Sequence, residues 1–491
     1  MKFLLHRGVR QLLLVFASFS TLTALLFAQY TTIAPGSAPS TPGEVIPETQ
    51  GSSPFGSSVP TQLIPGVIPI SLQNAIDRGL RQNLGLLLSS AEIRSAHGQR
   101  LQQLSALLPH ATVSPYADVS KINLQELGFT FSAPVFSPFS LPAALGPFSY
   151  FDARLSVTQT LFDWKSVNAA RAASQSLKSA EYTYKDARDL VILAVCYTYL
   201  QAVADEARIA TAEAQVQTAQ ALYEQASDQV KAGTSAAIEA LRANVELQTR
   251  QQQLIQAKNN FAIQKLTIAR VIGLPPGQQF DLADKSPYRP FEGISLEEAL
   301  KHAYDSRSDY QSAIREVRAA ELARTAAKAG YLPSLSVDAD FGAAGARPTR
   351  STSVYDLRGT LNIPIFTGGS VRGDVLQAEA RLQQSRERLD SLRAQIDTDV
   401  RAALLNLQSS ADQVRVARSN IDLAEQTLTQ SRDRYAAGVT DTVEVVQAQE
   451  QVATAHEQYI GSLYNFNFAK ASLVRATGAA EVGFKEYFKG K

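Results

Sequence analysis

Between Trp164 and Gly233 the chain contains neither glycine nor proline, and between Gly373 and Gly438 this happens again. Both stretches are rich in Ala, Gln, Glu, Leu and Arg, which form helices well. At 1.5 Å per residue, the first would be a helix of roughly 100 Å, far beyond the about 11–12 residues of a typical globular helix. Each stretch ends in a short break, Lys231-Ala232-Gly233-Thr234-Ser235 or Ala436-Ala437-Gly438-Val439-Thr440. A second helical run follows each break, to Ile272 in one case and to just before Gly478 in the other. Gly233 and Gly273 have the same separation as Gly438 and Gly478, and Glu239 and Glu444 lie equally far past their breaks. Break, acid and terminator recur together, which marks an internal duplication.

The duplication extends upstream. Ser71-Leu72-Gln73-Asn74-Ala75 reads as a capped helix start, and Ser295 with Glu298 fits a capping box. These starts predict helices up to Leu108-Pro109 and Leu332-Pro333. Alternation follows each proline. Leu335, Val337, Ala339 and Phe341 are interleaved with Ser334, Ser336, Asp338 and Asp340. Tyr355, Leu357, Leu361 and Ile363 alternate with Asp356, Arg358, Thr360 and Asn362, and Phe151, Ala153, Leu155 and Val157 with Asp152, Arg154, Ser156 and Thr158. A period of two means strands with one apolar and one polar face. The partner strand near Ala111–Ser120 is less regular and holds Pro115. Segments 121–149 and 342–353 read as connecting loops, the first with Phe129, Phe131, Phe136, Phe139 and Phe148. Each repeat is therefore helix, strand, loop, strand, very long helix, tip, helix. The two shorter helices, set end to end, match one long helix.

Four strands per chain cannot close a barrel. An apolar face turned to lipid requires every backbone polar group to be paired, so the sheet must close. Two chains would supply eight strands and three would supply twelve. Three are preferred, because an eight-stranded barrel is filled by its own side chains. Asp152, Arg154, Asp338, Asp340, Asp356 and Arg358 would then line water.

The chain has 491 residues and a formal charge of +1, which gives no reason to expect a nucleic-acid partner. Lys2, Arg7 and Arg10 precede an apolar run from Leu12 to Ala28, the pattern of a secretory signal. No other stretch reads as a membrane-spanning helix. The Pro/Ser/Thr/Gly-rich segment that follows reads as a flexible linker. The single cysteine, Cys196, falls mid-helix and reads as a packing residue. His6, His97, His110, His302 and His456 are not at metal-ligand spacing, and no nucleophile–base or phosphate-loop pattern appears. No cofactor and no enzyme activity are expected. The domain expectation is a signal at 1–28, a linker at 29–69, a first repeat at 70–290, a second at 291–480 and a tail at 481–491. The strands are expected at about 111–120, 150–161, 334–342 and 354–365, and the tips at 231–236 and 436–441.

Across roughly residues 70–478 the chain resembles the TolC-like outer membrane efflux family. The resemblance rests on the two repeats, on Leu161-Phe162-Asp163 and Ile365-Phe366-Thr367-Gly368-Gly369 after the strands, and on the tips Lys231-Ala232-Gly233-Thr234 and Tyr435-Ala436-Ala437-Gly438-Val439. Thr442-Val443-Glu444-Val445-Val446-Gln447-Ala448 is similar to the family's segment after the second tip. The resemblance implies a homotrimer with a twelve-stranded outer membrane β-barrel and an α-helical coiled-coil tunnel across the periplasm. It also implies docking at the tips to a periplasmic adaptor and, through it, coupling to an inner membrane transporter for efflux or type I secretion. Glu444 and Gln447 match the family's acidic pore constriction, and only the first keeps the charge. Tyr435 matches the tyrosine of a closed-state lock, Glu239 its acidic partner, and Thr440 stands at the position of its arginine. A tyrosine–carboxylate hydrogen bond is therefore expected, with Arg434 or Lys231 as substitute cations. Lys231, Gly233, Thr234, Gly438 and Val439 form the tip turns. The competing readings are a periplasmic adaptor-like coiled coil without a pore and a secreted enzyme on a helical scaffold.

Overall fold

The structure, a computed structural model, describes residues 56–57, 65–124, 126, 144–275, 277–284 and 293–478. All lie in the unit Gln50–Lys491. In chain order these residues form β1 (Ile68–Ile70), α1 (Leu72–Gln82), α2 (Leu84–Ser105), β2 (His110–Asn123), β3 (Ala144–Phe162), α3 (Trp164–Lys231) and α4 (Ala237–Val271). They continue with β4 (Phe280–Leu282), α5 (Leu296–Ser306), α6 (Ser308–Lys328), β5 (Ser334–Arg347), β6 (Arg350–Asn362), α7 (Ser370–Ala436) and α8 (Thr442–Ala476). From α1 and α5 onward the two halves present the same order of elements.

The helices expected from Ser71 and Ser295 do begin there. Ser71 accepts a hydrogen bond from Asn74 N at 3.2 Å, and Ser295 and Glu298 complete a capping box. Hydrogen bonds from Ser295 hold the Glu298 carboxyl below its ordinary value. Neither helix is continuous, however. The first breaks at Asn83 and the second at Arg307, equally far from their caps and both with extended backbones. Asn83 caps the next helix by accepting Gly85 N and Leu86 N, while Arg307 is held by Asp309 and Asp399. Neither break needs a glycine or a proline.

The four long strands form one antiparallel sheet in the order β2-β3-β5-β6. They are longer than the alternation predicted. Segment 342–353 is not a loop, since β5 and β6 are joined by a turn at Pro348-Thr349. Phe148 and the ends of segment 121–149 also belong to strands, whereas Phe129, Phe131, Phe136 and Phe139 lie outside the described residues. A second, parallel sheet pairs β1 with β4 through Ile68↔Phe280 and Ile70↔Leu282, so the last residues assigned to the linker are structured. Gly56 O also accepts Leu84 N at 3.0 Å.

Both α2 and α4 pack along α3, and both α6 and α8 pack along α7, so the shorter helices do share the length of the long ones. Between the long helices the contacts follow heptads. From Ile396 onward the buried positions of α7 are Ile396, Val400, Ala403, Leu407, Ser410, Val414, Ala417, Ile421, Ala424, Leu428, Ser431 and Tyr435. They alternate steps of four and three, the 3.5-residue period of a left-handed coiled coil. Val445, Ala448, Val452, Ala455, Tyr459, Ser462, Phe466, Ala469 and Leu473 repeat it on α8. The core widens around Val191, Ile192, Val195, Cys196 and Tyr199 of α3, where Ile70, Ile268, Ile272 and Phe280 converge. Burial pushes the Cys196 thiol pKa up, so the packing role expected of it holds. One window of α3 is apolar enough by composition to cross a membrane, contrary to expectation. With 61% of it buried among other helices, it is a core segment.

Candidate functional site at the helical tips and on the sheet

Each tip is built by a glycine in the left-handed region, φ +72° at Gly233 and φ +73° at Gly438. This conformation lets the chain turn back and satisfy the last carbonyls of the helix. Thr234 N donates to Gln229 O at 3.0 Å, and Val439 N donates to Arg434 O at 2.9 Å. The α8 start is capped by Asp441, which accepts Val443 N and Glu444 N, whereas the α4 start has no side-chain cap.

The tips are joined across the two hairpins, but not by the expected pair. Tyr435 donates to Gln229 Oε1 at 2.8 Å and not to a carboxylate. Its pKa is raised, first by burial and then by the nearby Glu239 charge. Glu239 itself accepts from Thr442 N at 3.3 Å and from Thr442 Oγ1, and it pairs with Arg242 at 3.0 Å. Thr440 does not reach Glu239; it donates to Glu444 at 2.5 Å. Glu444 also faces Arg434 at 3.4 Å, while Lys231 pairs with Asp228 at 2.9 Å. Beneath these contacts Leu222, Ala226, Ala243, Leu428, Val445 and Ala448 form a small apolar cluster. Gln447 is exposed one turn from Glu444. Sequence reasoning missed Gln229 and Thr442, because their partners are about 200 residues away and nothing local marks them.

The polar residues named on the strands do share a face. The register sets Thr112, Ser156, Asp340 and Asp356 in one row, and His110, Thr158, Asp338 and Arg358 in the next. Arg154 holds Asp152 at 2.7 Å, Arg358 holds Asp356 at 3.0 Å, and Thr158 donates to Asp338 at 2.9 Å. On the opposite face Val113, Leu155, Phe341 and Tyr355 form one exposed apolar row. Such a face suits hydrocarbon.

A family model described as outer membrane efflux protein matches residues 75–274 and 299–479. The chain belongs to this family. Family membership places it in the bacterial outer membrane and gives it the general role of an efflux or secretion channel, in a family of channels and not of enzymes. Among relatives, it is similar to the pyoverdine export outer membrane protein OpmQ of Pseudomonas aeruginosa, with 24% identity over 398 residues, covering 79% of this chain and 80% of the relative. The outer membrane protein VceC of Vibrio cholerae has the same fold, with a TM-score of 0.71 at 19% identity over 83% of this chain and 96% of that one. So does the CmeC outer membrane channel of Campylobacter jejuni, with a TM-score of 0.71 at 18% identity over 91% of this chain and 97% of that one.

Proposed function

We propose that three copies of this chain form a passive exit duct, in which a twelve-stranded barrel continues into a helical tunnel across the periplasm. At its tips the duct engages a periplasmic adaptor and, through it, an inner membrane transporter, for efflux or type I secretion. Residues 1–28 are its secretory signal and are removed before assembly.

The carrying observation is a sheet with an exposed apolar face and two unpaired edges, β2 and β6, among the described residues. Such a sheet is stable in lipid only when closed by further strands. The helices support the same reading. α4 and α7 are the outermost of the four tip helices, and each carries a second heptad stripe that nothing among the described residues covers. Ile238, Leu241, Val245, Ile255 and Leu266 lie on the stripe of α4, and Leu405, Val416 and Leu423 on that of α7. A neighbouring copy covers both at once. The exposed flank of α8, with Glu444 and Gln447, then faces the lumen.

The test is single-channel conductance of purified protein in a planar bilayer, wild type against Glu444→Ala. Small cation-selective currents, with larger current or reduced selectivity in the variant, are expected, since carboxylates gathered near one axis attract cations. Unchanged currents would remove Glu444 from the constriction. A folded, membrane-inserted protein without current would overturn the duct.

A further inference from the structure

Inside the α7–α8 hairpin the heptad seam buries one face of α8, from Val445 to Leu473. A second flank of α8 keeps the same 3.5-residue period but stays open. It advances from Gln447 through Gln451, Thr454, Gln458 and Asn465, all polar and exposed, and reaches Phe468 far from the tip. Phe468 is not alone there. Its ring meets Tyr197 of α3 edge-on, with centroids 5.3 Å apart, and stacks with Tyr464 at 6.3 Å and an interplanar angle of 9°. Tyr197 also meets Tyr464 at 6.0 Å. Val195 and Tyr199, on either side of Tyr197, are buried in the core with α1 and β1. Residues two apart on a helix point about 200° from one another. Tyr197 therefore points away from that core, and it is 41% exposed. Core packing accounts for Val195 and Tyr199 but not for Tyr197.

The charge near these three rings is set by acids. Between Thr442 and Ala469, α8 carries Glu444, Glu450 and Glu457 and no lysine or arginine. One turn from Tyr197, Gln201 borders a groove of ≈910 Å³ between α3, α4 and α8, where Asp205, Glu450 and Glu457 stand against Arg208 and Arg250. Glu457 pairs with Arg208 at 2.8 Å and Glu450 pairs with Arg250, so the groove keeps one negative charge in excess. Beyond Phe468 the next cation in line, Arg475, is paired with Asp186.

We propose that Tyr197, Tyr464 and Phe468 form a contact site for planar organic cations on the tunnel wall. A flat ring finds an aromatic surface to stack on, and its positive charge is drawn both to the faces of the rings and to the acidic groove. Glu457 is seven residues from Tyr464, about 10 Å along the helix, within reach of a drug-sized molecule. An anion meets the excess of acid, and a cation without a ring has nothing to stack on. The site rests on the exit-duct reading and deepens it, because the flank of α8 assigned to the lumen leads to these rings and because it names a class of cargo that the wall can hold.

The test is binding of ethidium, a planar aromatic cation, to the purified protein in detergent, followed by fluorescence anisotropy. The wild type should bind it saturably. Tyr197→Leu should bind it about three- to fivefold more weakly, and Tyr197→Phe, which keeps the ring, should bind as the wild type does. Tetraethylammonium, a cation without a ring, and fluorescein, a planar anion, should compete poorly. Because Tyr197 is exposed, helical circular dichroism should be the same for all three proteins. In a planar bilayer, ethidium should interrupt the wild-type current briefly and the Tyr197→Leu current less often. A conducting wild type whose ethidium binding is unchanged by Tyr197→Leu, or is competed equally by tetraethylammonium, overturns the site and leaves the duct standing. Binding that depends on Tyr197 without any interruption of the current overturns its place in the lumen. A wild type that never conducts overturns the duct reading and, with it, the site as part of a tunnel wall.

Discussion

Gly233 and Gly478 both adopt positive φ, but their surroundings differ. Around Gly233 a Cβ would meet nothing within 4 Å, whereas at Gly478 it would lie 2.6 Å from Arg307 N. Gly233→Ala should therefore cost only the backbone term of about 1 kcal/mol. Gly478→Ala must also displace the backbone where α6 begins, and should cost about 3 kcal/mol or more. Thermal unfolding of the two variants separates the terms. The same junction concentrates charge. Arg307 is buried between Asp309 at 2.7 Å and Asp399 at 3.1 Å, and Arg475 pairs with Asp186 nearby. Burial pushes the Asp309 carboxyl up, but the Arg307 hydrogen bonds and charge outweigh it and hold the pKa below the ordinary 3.8. A depressed carboxylate contributes stability that is complete above its ordinary value and lost as pH falls through the depressed one. Asp186 has the opposite sign. Burial raises its pKa despite Arg475, so its contribution weakens as pH rises through the raised value. Arg307→Ala leaves Asp309 with its burial and without its main partner. The variant should lose about 3–5 kcal/mol at neutral pH, and its acid-unfolding midpoint should move to higher pH. An unchanged midpoint would mean that Asp309 takes its stabilisation from elsewhere.

At the scale of elements, α7 presents two faces whose positions repeat with one period. Ile396 is fully buried in the seam, and Leu405 on the outer stripe is 68% exposed. Ile396→Ala should cost about 2–5 kcal/mol in chemical denaturation. Leu405→Ser should leave the single chain within about 0.5 kcal/mol and act only on assembly. The long helices, the tips and all four strands were legible in the sequence because glycine and proline punctuate them and alternation marks the strands, least regularly in β2. The heptads were present but muted. Ala403, Ser410, Ala417, Ala424 and Ser431 occupy seam positions where Leu or Ile would have announced a coiled coil. The helix breaks at Asn83 and Arg307 were hidden for another reason. Arg307 is held by Asp399, a residue of a different helix 92 positions away, and local pattern carries no trace of such a partner. Strand β2 read as less regular because Tyr116 stands among its polar positions and Pro115 lacks a backbone donor, and β5 was read too short because Gly342 and Gly345 look like loop residues while lying in the sheet. At the tips, residue types identified the turn but not the pairing. Tyr435 could be singled out, yet its acceptor Gln229 is indistinguishable from the many other glutamines of α3.

For the whole molecule, strands and helices impose the same rule of assembly. With four antiparallel strands in the order β2-β3-β5-β6, the two edge strands run in opposite directions, so β6 of one copy meets β2 of the next as another antiparallel pair. The ring can then close at any number of copies without a parallel mismatch. In the helical part the outer edges are α4 and α7; the exposed heptad stripe of α4 mixes Ile, Leu and Val with Gln and Asn, and that of α7 mixes Leu and Val with Ser and Asp412. In the proposed duct both edges would lead to the same head-to-tail ring, and three copies would make it wide enough to conduct. A charge placed on either stripe should break the ring without unfolding its members. Ile255→Glu on α4 and Leu423→Glu on α7 lie on exposed positions, so each single chain keeps its seams. In assembly, each charge would be buried against an apolar neighbour, at a cost of several kcal/mol per interface. Unheated gel migration and light scattering in detergent should show trimer for the wild type and monomer for each variant, with helical circular dichroism unchanged. Adding Leu423→Lys to Ile255→Glu should restore part of the trimer if the two stripes face one another, because the opposite charges would pair across the interface. Full trimer in both single variants would mean that the stripes lie outside the interface and that the barrel alone holds the copies together.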